Sequence, residues 1–225
     1  MWAWALLPLS LAALGMLGIF SVCAVAVSNG TVNITDRLPY ISTCGSFTPQ
    51  SCFFSQVANV CAVQVLWIVV IRFYQIRDCG HSTRGKTVLN SVGLLFGIIC
   101  ALGTSFTGNF QVLHIFHLTG AGLAFFGGMA YFWLQVFLRK NVYCLAVVHF
   151  ILCLIGSIFI VIMFILYFAG YHSVGALCEW LAVLAFFILF GLFAVDFRRV
   201  TDFKLMVRFC EGKATDNGGQ MEERT

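Results

Sequence analysis

Charged residues are scarce in this sequence. Asp, Glu, Lys and Arg together make up 10% of its 225 residues, against roughly a quarter in an average soluble domain. Proline is also rare, at three residues, while apolar residues reach 60% and phenylalanine alone counts 24. A soluble fold of this size cannot cover that much apolar surface, so the surrounding solvent is lipid. The composition excludes a disordered chain, a disulfide-dense secreted domain and a nucleic-acid binder. Strand-like alternation is missing, and no linker is long enough to divide the chain into separate domains.

A bilayer core takes about 20 predominantly apolar residues per helix. Six stretches qualify: Trp2–Val27, Phe53–Ile71, Val88–Thr107, Phe116–Leu138, Val142–Phe168 and Ala176–Phe197. The expected fold is an all-α integral membrane protein, a six-transmembrane-helix bundle over residues 1–200, followed by a cytoplasmic tail, 201–225. Near the end of the first stretch, Ala24-Val25-Ala26 loosely matches a signal-peptide cleavage site. Yet the apolar run is too long for a signal peptide, and no Lys or Arg precedes it, so a retained helix is expected.

Basic residues set the orientation. Loop 72–87 carries Arg72, Arg77, Arg84 and Lys86; Arg139-Lys140 joins the fourth and fifth spans; the tail holds Arg198, Arg199, Lys204, Arg208, Lys213 and Arg224. Of the 13 basic residues only Arg37 lies on the other side. Both termini are therefore expected in the cytoplasm, and loop 28–52 outside. That loop contains two N-glycosylation sequons, at Asn29 and Asn33. Asn29 lies close to the membrane, which hinders the transferase. Cys44 and Cys52 share the loop, on the oxidising side, and are expected to form a disulfide, the alternative being two partly buried free thiols. Cys23, Cys61, Cys100 and Cys153 read as small apolar packers within spans; Cys178 marks the outer end of the last span. Cys79, Cys144 and Cys210 sit at the cytoplasmic interface, either palmitoylated or unmodified.

Catalytic signatures are missing. There is no G-x-S-x-G and no H-E-x-x-H. Gly80-His81-Ser82-Thr83-Arg84-Gly85-Lys86-Thr87 fits the phosphate-loop formula. Membrane helices on both sides leave no room for the strand and α/β domain such a loop requires, so no nucleotide is expected. His114 and His117 are spaced for two ligands on one helical face, but no Cys or acid stands beside them in sequence, and no metal or cofactor is expected. Glu179 and Asp196 lie at opposite ends of the last span, and His149 near the inner end of the fifth, so the middle of the bundle has no obvious charge. That counts against a proton pump or ion-coupled transporter.

His114, His117, His172 and Glu179 all fall on the outer side. Histidine titrates near endosomal pH, which makes this group a candidate lumenal pH sensor; the plainer reading is a set of interfacial polar residues. Gly93-x-x-x-Gly97 and Gly120-x-x-x-Ala124-x-x-x-Gly128 form small-residue stripes suited to close helix packing, within the bundle or against membrane-protein partners or a second copy. Gln56, Asn59, Gln64 and Gln135 either hydrogen-bond between helices or line a cavity. The segment 198–213, basic with interleaved apolar residues, either lies on anionic lipid or reflects only the charge bias; 214–225 reads as disordered.

The ordered motifs Pro39-Tyr40-Ile41-Ser42, Pro49-Gln50-Ser51-Cys52, Phe54-Ser55-Gln56-Val57, Gly108-Asn109-Phe110-Gln111, His117 with Gly120-Ala121, Tyr131-Phe132-Trp133-Leu134-Gln135, Cys178-Glu179-Trp180 and Ala194-Val195-Asp196-Phe197 resemble the damage-regulated autophagy modulator (DRAM) and transmembrane protein 150 family over roughly residues 1–200. The resemblance implies a six-helix protein of plasma membrane, endosomes and autophagosomes that modulates macroautophagy and cell survival without catalysis, through partner or lipid contacts. Roles implied by other relatives are an ion channel, a lipid scramblase, and a membrane scaffold for a phosphoinositide kinase. The family supplies no catalytic residues to carry over.

Overall fold

The computed structural model describes residues 3–78, 83–139, 143–198 and 200. Six helices are long and apolar enough to cross a membrane. They are α1 (Ala3–Ser28), α3 (Gln50–Asp78), α4 (Arg84–Asn109), α5 (His114–Leu138), α6 (Tyr143–Phe168) and α7 (His172–Gly191), the last extended by α8 (Phe193–Phe197). A four-residue helix, α2 (Ile41–Cys44), interrupts the long first loop. Among the described residues there is no strand. The all-helical, six-span reading of the sequence holds, with α3 starting earlier and ending a full seven residues later than its apolar run suggests.

The long helices neighbour one another largely in chain order, and α7 returns to α1, closing a ring. Large apolar side chains such as Leu17, Leu102, Phe137 and Ile165 cover the outside, where lipid replaces water as their partner. Small residues set the spacing inside. A Cβ on Gly103 would stand 2.4 Å from the Ala124 backbone nitrogen and 2.8 Å from the Gly120 carbonyl, so α4 and α5 meet backbone to backbone. Gly97 takes Val69 of α3 against its open face, and Gly128 takes Phe186 of α7. The glycines of both small-residue stripes are thus buried within the chain's own ring, with Ala124 half-buried.

The two ends of the ring are filled differently. Towards the arginine-rich end, Tyr131, Phe132, Phe190, Phe193 and Phe197 stack edge and face into one aromatic plug. Towards the sequon-bearing end the interior is hollow, roofed by loop residues 29–49.

Candidate functional site

The roof is built by local chemistry. Gly30 takes φ 74°, a left-handed turn that ends α1 without a Cβ penalty. Asn29 and Thr31 then lock onto the first residue of α3: Asn29 Nδ2 donates to Gln50 Oε1 (2.9 Å), and Gln50 Nε2 donates to Thr31 Oγ1 (2.8 Å). Val32, Ile41 and Cys44 are buried with Phe54 of α3 and with Ile19, Val22 and Ala26 of α1. From α7, Trp180 Nε1 donates to the Pro39 carbonyl (3.0 Å), and Glu179 Oε2 accepts the Ile41 N–H (2.6 Å).

Under this roof lies a cavity of about 500 Å³. His114, His117, His172 and Glu179, nominated from the sequence on two helices, all line it. Tyr40 and Tyr167 meet edge to face with centroids 5.8 Å apart; Tyr167 stacks on His114 at 6.0 Å, and its hydroxyl lies 2.9 Å from His114 Nε2. Tyr40 also meets the edge of His172. Burial, and secondarily the Glu179 carboxylate, pushes the Tyr40 phenol above its ordinary range, so it keeps its proton. His117 Nδ1 lies 3.1 Å from the Thr107 carbonyl. A carbonyl only accepts, so Nδ1 carries a proton, and in the neutral ring Nε2 is the acceptor. Among the described residues no cluster of three His, Cys, Asp or Glu is close enough to hold a metal.

The expected Cys44–Cys52 disulfide is not formed; both are free thiols. Cys44 is buried inward against α1, whereas Cys52, on the first turn of α3, is exposed. The sequence spacing could not show that their side chains leave the loop on different sides. At the sequons, Thr31 and Thr35 each donate a hydroxyl to Oδ1 of the Asn two residues before, at 2.8 and 2.7 Å. Asn29 Nδ2 is tied to Gln50, whereas Asn33 Nδ2 reaches only exposed Asp36.

The polar residues of the spans serve helix contacts. Asn59 Oδ1 accepts from Ser105 and Asn109 of α4, and Gln64 Nε2 donates to Ser10 of α1. Gln56 is exposed.

A second polar cluster lies at the arginine-rich end. Arg72 and Arg139, which the sequence places in solvated loops, have side chains 7% and 5% exposed, converging on Asp196. Arg139 pairs directly with Asp196 Oδ2, and Arg72 Nη1 stands 3.8 Å from Oδ1. Arg72 Nε donates to Gln135 Oε1 (3.0 Å), and Nη1 donates to Gln75 Oε1 (2.7 Å). Arg139 Nη1 lies 3.2 Å from His149 Nδ1. A guanidinium only donates, so Nδ1 accepts and the His149 ring is neutral. This cross-tie joins α3, α5, α6 and α8. The sequence signal was available: Arg72 directly follows the apolar run of α3, and α3 continues past it.

The formula-matching phosphate loop falls between α3 and α4; residues 79–82 lie outside the described residues, and Gly85, Lys86 and Thr87 belong to α4. Cys79, Lys140, Cys210 and the tail 201–225 also lie outside the described residues.

Residues 3–200 match the family model for the Frag1/DRAM/Sfk1/Cwh43P N-terminal domain. The chain is 50% identical over 217 residues to the modulator of macroautophagy TMEM150B of Danio rerio, covering 92% of this chain and 91% of that one. It is 48% identical to the Xenopus tropicalis protein of the same name over 206 residues, covering 88% and 87%. Against the Homo sapiens protein of that name the identity is 41% over 218 residues, with 92% of each chain covered. No solved structure matches. A six-span helical ring, matched from α1 to the end of α8, therefore belongs to the Frag1/DRAM/Sfk1/Cwh43 family.

Proposed function

We propose that this protein is a non-enzymatic, multi-pass membrane modulator of macroautophagy and cell survival, acting through contacts with lipids or membrane proteins. The observation that carries the reading is the identity of 41–50% to proteins named modulators of macroautophagy, over about nine-tenths of the chain. Both termini then face the cytoplasm, following the basic residues, and the roofed cavity faces the lumen or the cell exterior. The plasma membrane, endosomes and autophagosomes are the compartments in which such a protein works.

The aromatic plug supports this reading over a conduit. Phe132, Phe190, Phe193 and Phe197 fill the ring between the cavity and the arginine-rich end, where an ion or headgroup path would need polar walls.

The test is autophagic flux in cells lacking the protein and in cells restored with it. Autophagosome-marker turnover is followed with lysosomal degradation open and blocked. Altered delivery that returns to normal on restoration supports the reading. Unchanged flux with a folded, membrane-inserted protein overturns it.

A further inference from the structure

A second chamber of about 150 Å³ adjoins the cavity deeper in the bundle, and five residues, Ser42, His117, Ala121, Phe125 and Glu179, line both spaces. The inner chamber is walled mainly by apolar side chains, including Ile19, Val183 and Phe187. A space of ~150 Å³ with such walls holds a body about the size of a benzene ring, which suits one hydrocarbon chain rather than two. The outer space is different in kind: its walls are the tyrosines, the histidines and the loop.

Glu179 stands at the junction. It is 9% exposed. One carboxylate oxygen accepts the Ile41 N–H, and among the described residues no ion pair and no further hydrogen bond is made to the other. A buried carboxylate without a counter-charge is costly, and a cation supplied by a ligand removes the cost. The remaining charges on the walls are Asp36 and Arg37, which offset each other, together with His114, His117 and His172. With the imidazoles neutral the balance is negative. Tyr40 and Tyr167 add aromatic rings, whose faces are of the kind that hold ammonium groups.

We propose that the two chambers form one binding site for a single-chain amphiphile with an ammonium head: the head between Glu179 and the Tyr40–Tyr167 wall, the chain in the inner chamber. A carboxylate or phosphate head alone is repelled by Glu179. A neutral head leaves Glu179 unpaired. The site does not depend on a role in autophagy, because it is read on the purified protein.

The probe is a hexyltrimethylammonium analogue, its chain length matched to the inner chamber, with a diazirine and an alkyne in the chain, offered to the full protein in a maltoside micelle. Unlabelled hexylamine, hexyltrimethylammonium, hexanol and hexanoate compete. Both cations are expected to suppress labelling, and the alcohol and the carboxylate are not. Suppression by both identifies a general ammonium site; labelling that the unlabelled trimethylammonium compound does not suppress is non-specific and overturns the proposal. Mapped label should fall on chamber residues such as Phe125 or Phe187. Glu179→Gln keeps an acceptor for the Ile41 N–H, so it tests charge rather than folding, and should weaken capture at least about tenfold, the scale of losing a buried counter-charge. Tyr167→Leu, at the rim, is a second variant should the first misfold. Equal competition by hexanol, label outside both chambers, or unchanged capture by folded Glu179→Gln each overturns the proposal.

Discussion

Glu179 Oε2 accepts the backbone N–H of Ile41 at 2.6 Å, across 138 positions of sequence. This bond ties the small helix of the first loop to the last membrane helix, and with Trp180 and Pro39 it holds the roof over the cavity. A buried hydrogen bond contributes about 0.5–1.5 kcal/mol net. Glu179→Ala should therefore speed amide exchange at Ile41 and through α2, while exchange in α3 and α4 stays slow. Glu179→Gln should largely restore protection. Equal exchange in wild type and Glu179→Ala would remove the roof anchor.

At the other end, Arg139 is held by Asp196, the Leu145 carbonyl and His149. Removing one partner of a fully buried pair costs about 3–5 kcal/mol; here the cost falls below that range, because Asp196 keeps Arg72 as a counter-charge at 3.8 Å. Arg139→Met should lower the unfolding temperature of the detergent-solubilised protein markedly. Arg139→Lys should recover only some of the loss, since an ammonium cannot reproduce the planar fork. Asp196→Leu should cost more than Arg139→Met, because it leaves both Arg72 and Arg139 without their counter-charge. An unfolding temperature unaffected by Arg139→Met would mean the cross-tie does not stabilise the bundle.

The two sequons differ in what their amide nitrogens do. Nδ2 is the atom that takes the glycan; on Asn29 it is bound to buried Gln50, beside the end of α1, and on Asn33 it meets only exposed Asp36. The glycan-dependent mobility shift of the expressed protein should disappear in Asn33→Gln and survive in Asn29→Gln. The opposite pattern would show that the Asn29–Gln50 bond forms only after modification or not at all.

Cys44 and Cys52 should also separate by reactivity. Burial, followed by the hydrogen bond and charge of Cys23, raises the Cys44 thiol above its ordinary range. The thiolate is the reactive form, so at mildly alkaline pH Cys44 carries almost none of it. Maleimide applied from the sequon-bearing side should modify Cys52 quickly, without prior reduction, and Cys44 only on unfolding. Labelling of Cys52 that requires a reductant would instead indicate a disulfide.

Much of the architecture follows from the sequence alone. Six apolar runs in a chain with so little charge admit only spanning helices, because lipid offers the backbone no other partners. The nomination of His114, His117, His172 and Glu179 as one group came from their shared position at helix ends near one side, and all four line one cavity. What the linear pattern cannot carry is the direction in which a side chain leaves its element. That direction buries Arg72 and Arg139 against Asp196, separates Cys44 from Cys52, and aims Gly103 at the backbone of α5. The adjacency of the two chambers at Glu179 was likewise settled by tertiary structure. It depends on where the roof, α5 and α7 fail to fill space, and a void has no residue of its own in the sequence.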